Sequence, residues 1–152
     1  MLNYVTFSSA CAQSYLKTRS WRYFMRTKED VEQYLIDLDT DYEVVDEGLY
    51  RLIDDVQDVE DIFVHVTGPL VIFSVRLMKV PTHNIEAFYR KLLELNATAL
   101  VAGAYGIDGN DVMITDTLQL ENLDYNEFLA SIESLAMAIN EHYPMLKKMT
   151  AQ

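Results

Sequence analysis

The stretch that most restricts how this chain can fold is residues 62 to 77, where side chains alternate in character on both sides of a Thr67-Gly68-Pro69 turn. On the first arm Ile62, Val64 and Val66 alternate with Phe63 and His65. On the second, Val71, Phe73, Val75 and Leu77 alternate with Ile72, Ser74 and Arg76. A period of two sends neighbouring side chains to opposite faces, so the pattern predicts an antiparallel hairpin with one apolar face and one mixed face. A lone hairpin is marginal in water, so other strands and a covering layer are required. Pro81 closes the second arm.

The flanking segments supply both. Upstream, Tyr42–Asp46 and Leu49–Asp54 surround Glu47-Gly48, which reads as a turn. Downstream, residues 101–107 and 111–118 flank Asp108-Gly109-Asn110, and Val112, Ile114 and Leu118 alternate with Met113, Thr115 and Thr117. Helical spacing appears in three places. Thr27 with Asp30 makes a capping pair before Val31, Tyr34, Leu35 and Leu38, and this helix should stop near Asp39. Ile85, Phe88, Tyr89, Leu92 and Leu93 form a second stripe, with Glu86, Arg90, Lys91 and Glu94 facing away and Asn96 as the expected stop. Asp124 and Glu127 cap a third helix, with Tyr125, Phe128, Leu129, Ile132, Leu135, Ala136 and Ile139 as its stripe; Pro144 should kink or end it. The expected fold is α+β in the order α-β-β-β-α-β-β-α, an antiparallel sheet of about five strands with helices packed on it.

Composition narrows the class. With 152 residues, half of them hydrophobic, and only five glycines and three prolines, the chain suits one packed domain. Its longest apolar run, Leu70 to Val75, is strand-sized, far short of the roughly 18 residues of a membrane span, which predicts a soluble protein. The formal charge of −12, from 24 acidic and 12 basic residues, argues against nucleic acid and membrane as partners. The single cysteine, Cys11, excludes an internal disulfide and a cysteine-based metal site, and suits a reducing, cytoplasmic setting.

The charge is unevenly distributed. Residues 1–28 carry five basic groups (Lys17, Arg19, Arg22, Arg26 and Lys28) and no acid, leaving seven basic against 24 acidic residues, a net −17, beyond them. Residues 1–26 show no sustained periodicity and read as a loose or weakly helical extension before a domain at 27–152. Its composition fits either an organellar targeting segment or a start codon upstream of Met25.

No set of residues signposts catalysis. His65, His83 and His142 lie in a strand, at a helix start and near the chain end, without metal-ligand spacing or a nucleophile and acid to complete a triad. The acidic stretch Asp54, Asp55, Asp58, Glu60, Asp61 has no glycine to bend it round calcium, and Val56 and Val59 interrupt it, so it reads as a solvated loop. Counting from Asp108, the twelfth position is Gln119, which cannot supply a bidentate carboxylate. Gly103, Gly106 and Gly109 lead into a strand, whereas phosphate loops lead into a helix. The Asn96-Ala97-Thr98 sequon has meaning only in a secreted protein. These features point to no catalytic residue, no cofactor and no metal.

Binding remains. Ten tyrosines and seven methionines offer large, adaptable contact area. On the mixed face of the sheet Phe63, Ile72 and Met113 sit among His65, Ser74, Arg76 and Thr115, and they are the candidate partner surface, for an extended peptide or a second subunit. A helix or the N-terminal segment covering that face inside the molecule is the alternative.

The pattern from Gly48-Leu49-Tyr50-Arg51-Leu52, through Leu70 to Leu77, Leu92-Leu93-Glu94-Leu95-Asn96, the glycine hairpin and Leu120-Glu121-Asn122-Leu123-Asp124, resembles the type III secretion chaperone-like family, with its Tir chaperone and YbjN groups. The resemblance covers about residues 28 to 145. It implies a homodimer formed through the middle helix and the neighbouring strand. It also implies a non-enzymatic role, either as a chaperone holding an extended segment of a client protein or, in the YbjN branch, as a sensory transduction regulator. A small-ligand-binding regulatory module is the other alternative. No catalytic residues transfer from the family.

Overall fold

The computed structural model describes residues 25–53 and 62–150. The acidic stretch from Asp54 to Asp61, Cys11 and the extension up to residue 24 lie outside the described residues.

The described elements run α1 (Lys28–Asp37), β1 (Tyr42–Asp46), β2 (Leu49–Leu52), β3 (Ile62–Thr67), β4 (Leu70–Lys79), α2 (Ile85–Thr98), β5 (Ala104–Asp108), β6 (Asp111–Gln119) and α3 (Tyr125–Thr150). They make an antiparallel sheet of six strands in the order β1-β2-β3-β4-β6-β5. That is one strand more than the expected order allowed. Tyr42–Asp46 and Leu49–Leu52 each complete a ladder of their own, with Tyr42 opposite Leu52 and Val44 opposite Tyr50.

The alternation dictates the core. Tyr50, Val64, Val71, Phe73, Val75, Val112 and Ile114 are fully shielded and share the inner face. Against them pack Val31 and Leu35 of α1, Phe88 and Leu92 of α2, and Phe128 and Leu135 of α3. The rings of Phe73 and Phe128 lie 5.3 Å apart, and those of Tyr34 and Phe128 lie 5.6 Å apart, tying sheet, first helix and last helix together. The turn at Gly48 is pressed against β3: with φ at +71°, an added Cβ would meet the Val66 carbonyl oxygen at 2.9 Å. Only glycine fits there.

Both capping expectations hold. The Asp30 carboxylate accepts from the Thr27 N–H at 2.8 Å, and the Asp124 carboxylate accepts from the Glu127 N–H at 2.9 Å. Four details differ from the sequence reading. Asn96 does not stop α2, which continues to Thr98; its carboxamide is turned onto β5 instead. The strand expected from residue 101 begins at Ala104, because Gly103 has φ at +74° and an added Cβ there would meet the Thr115 oxygen at 2.6 Å. Of the two outcomes expected at Pro144, a kink or an end, the end is not met, since α3 runs on to Thr150. Finally, α2 buries Phe88, Leu92 and Leu95, while Ile85, Tyr89 and Leu93 are exposed by 38%, 38% and 68%. The apolar residues of that helix occupy two adjoining columns, and only one meets the sheet.

Candidate partner-binding surface

The ladders carry the mixed side chains onto the outer face in rows. Arg51 stands opposite Phe63, Phe63 opposite Ser74, Ser74 opposite Thr115, and Thr115 opposite Ala104. A second row runs Leu49, His65, Ile72, Thr117, and in a third Arg76 faces Met113. Phe63, Ile72 and Met113 therefore come together across three strands. None of the outward residues in these rows is fully buried, whereas most of their inward neighbours, such as Val64, Phe73 and Ile114, are. Around them the face forms a depression of about 280 Å³, whose walls include Leu49, Phe63, Ile72 and Met113 with His65 and Arg76 at the margin.

The charges on this face are largely neutralised in pairs. Arg51 donates to Glu43 across β1 and β2. Asp111 lies 2.6 Å from the Lys79 ammonium and 3.6 Å from the Arg76 guanidinium. The Arg51–Glu43 pair, exposed on both sides, contributes about 1 kcal/mol or less to stability. These pairs border an apolar centre with polar groups, which is the composition of protein-binding patches.

A second exposed apolar region runs along α2. Ile85, Tyr89 and Leu93 stand at i, i+4 and i+8, on one line of the helix, beside the edge strand β5 with its exposed Ile107. Sequence reasoning placed these three residues on one apolar stripe with Phe88 and Leu92.

The histidines do not converge. His65 is on the outer face, His83 lies in the exposed connection between β4 and α2, and His142 is buried in α3, where its Nδ1 lies 2.8 Å from the Tyr105 hydroxyl. The sequence reading placed His142 only near the chain end, without metal-ligand spacing or triad partners. Its partner is far away in the chain, so no local signal marks the pair. Burial pushes the Tyr105 phenol well above its ordinary range. The Tyr50 phenol rises as well, first through burial and then through its hydrogen bond to Glu32. Among the described residues no group of three or more His, Cys, Asp or Glu is placed to hold a metal ion. A polar cleft of about 530 Å³ lies where the β1–β2 and β3–β4 turns meet; its Lys28 and Glu47 are paired at 3.2 Å, which raises the Lys28 pKa. Among the described residues no helix is long and apolar enough to cross a membrane.

The family model CesT_Tir_1 matches residues 24–152. No curated protein matches the chain significantly. Among solved structures, YbjN from E. coli superposes with a TM-score of 0.63 at 17% identity, covering 78% of this chain and 93% of its own. A chain of the ExsC–ExsE complex gives 0.62 at 16% identity, covering 80% and 97%. A chain of the heterodimeric ExoU–SpcU complex from the type III secretion system of Pseudomonas aeruginosa gives 0.56 at 13%, covering 76% and 93%. At these identities the likeness is one of fold.

Proposed function

We propose that this chain, which belongs to the CesT_Tir_1 family and has the type III secretion chaperone-like fold, works without a catalytic step by holding a segment of another protein on the outer face of its sheet. The observation that carries the reading is the group of Phe63, Ile72 and Met113, half-buried around one depression on a face whose charges are largely paired. An apolar centre with satisfied polar margins accepts an extended segment without leaving a buried charge unmatched. Two of the similar structures are complexes between two different proteins, which supports a protein client as the partner class.

The second exposed region serves self-association. Ile85, Tyr89 and Leu93 on α2, next to β5, form the contact of a homodimer. Residues 27–152 are the working domain, residues 1–26 an extension to it, and the cytoplasm is its setting, a reading supported by the single cysteine.

Two measurements test this. Light scattering should return the mass of a dimer for the unaltered chain and of a monomer for Leu93→Asp. Protein partners copurifying with the chain should be lost in Phe63→Asp yet kept in an exposed α2 variant such as Glu94→Gln. A monomeric mass together with no partner, or a partner indifferent to Phe63, overturns the reading.

A further inference from the structure

We propose that a hollow between α1 and α3, on the helix side of the sheet, is a docking site for a basic segment of another protein that carries an aliphatic side chain. It lies across the sheet from Phe63, Ile72 and Met113, and it stands whether or not that outer face binds a partner.

The hollow follows from the way α1 ends. Asp39 has φ at +53°, and this reversal brings Leu38 and Thr40, on either side of it, to one wall. The opposite wall is α3, where Leu129, Glu133 and Ala136 stand at i, i+4 and i+7 on one face of the helix. Leu52 and Ile62, buried and facing each other across the β2–β3 ladder, make the floor. The space is about 300 Å³, enough for a branched aliphatic side chain and the backbone that carries it. The Tyr125 hydroxyl of α3 donates to the Asp37 carbonyl of α1 at 3.2 Å, so the two walls are joined before anything enters. The hollow also explains a difference along α3. Leu129 and Ala136 belong to its apolar stripe yet stay half-buried, whereas Phe128 and Leu135 are closed off completely.

Charge selects the occupant. Residues 29–50 hold nine acids and no base, and residues 125–146 hold three acids and no lysine or arginine. Glu133 is exposed and lines the hollow, while Asp37, Asp39 and Asp41, also exposed, adjoin Leu38 and Thr40 in the chain. Among the described residues none of these four carboxylates lies within ion-pair distance of a lysine or arginine. The outer face is different, since its Glu43 and Asp111 are met by Arg51, Arg76 and Lys79. An apolar hollow with uncompensated negative charge on both banks repels acidic chains, among them a second copy with its net −12, and attracts a cationic one. Three of the acids recur at every second residue of one bank and the fourth stands on the other. Meeting them takes several cations at the spacing of a polypeptide. The aliphatic anchor then supplies affinity, and the flanking cations supply orientation and on-rate.

The test is the fluorescence anisotropy of a labelled peptide in which two leucines are flanked on each side by two lysines. The unaltered chain should bind it, should ignore the counterpart with glutamates for lysines, and should bind the counterpart with alanines for leucines about tenfold more weakly or worse. Affinity should fall several-fold between about 50 and 150 mM salt. Glu133→Gln and Asp39→Asn should each weaken binding about twofold to fivefold with circular dichroism unchanged, asparagine being tolerant of the left-handed backbone. Phe63→Ser and Glu94→Gln should leave it as it was. Equal binding of the glutamate counterpart overturns the inference, as does indifference to both Glu133 and Asp39. A loss in Phe63→Ser overturns it by placing the peptide on the outer face. Two other occupants would also overturn it. A dimer mass that disappears when the peptide is added assigns the hollow to a second copy, and affinity that rises several-fold in Val56→Ser assigns it to the chain's own residues.

Discussion

The two faces of β4 carry nearly the same amount of sequence and have opposite consequences. Inward, Val71, Phe73 and Val75 are completely shielded from water; outward, Ile72 and Ser74 are half-buried and Arg76 is exposed. The inward row belongs to the core that the three helices share, and Phe73 meets α3 directly at Phe128. Among the described residues the outward row is bordered by its neighbours across the ladder and, at Arg76, by Asp111. Stability is therefore concentrated on one side of a single strand, and the proposed recognition surface lies on the other.

The largest effect that would break this division is on the inner side. Phe73→Ala should cost about 3–5 kcal/mol, since it removes a ring tilted against Phe128 from a closed core; a urea denaturation midpoint close to that of the unaltered protein would show that the core lies elsewhere. Next comes the one acidic intrusion into the inner row. Asp116 stands opposite Phe73 and accepts from the Ser131 hydroxyl at 2.6 Å. Ser131→Ala should cost about 1.5–3 kcal/mol by leaving that carboxylate short of a donor, again read by denaturation.

The inner side also predicts a pH response. Burial raises the phenols of Tyr34, Tyr50 and Tyr105 above their ordinary range. Because the folded state keeps these protons while the unfolded chain releases them, the stabilisation is complete below about pH 10 and declines as pH rises toward the folded values. The slope is at most about 1.4 kcal/mol per pH unit for each phenol. Denaturation measured between pH 9 and 11.5 should show the fall, and Tyr50→Phe should make it shallower. The smallest effect belongs to the outer face. Ile72→Thr should change stability by about 0.5 kcal/mol or less while weakening partner capture. A loss comparable to that of Phe73→Ala would abolish the distinction between the faces.

The sequence made the hairpins legible because period two survives in Ile62 to Leu77 and in Val112 to Leu118, and because glycines mark each reversal. The same logic failed for α2. Its apolar residues fill two columns, and periodicity cannot say which one turns toward the sheet; Leu95 was needed to choose, and it lies past the stripe that spacing picks out. The Phe63, Ile72 and Met113 grouping was readable once alternation was accepted, since register follows from the turns. Contacts that join remote parts of the chain, such as Tyr105 with His142 or Ser131 with Asp116, leave no local trace.

The carboxamide of Asn96 has a wider consequence. It accepts from the Tyr105 N–H at 2.8 Å and donates to the Tyr105 carbonyl at 3.1 Å, so it imitates one rung of a further strand along β5. The opposite border, β1, carries no such plug among the described residues and exposes Val44 by 61%. Stacking of copies into an endless ribbon requires two open borders, one to give and one to receive. With β5 obstructed, strand-to-strand adhesion between copies can join β1 to β1 and then has nowhere to grow.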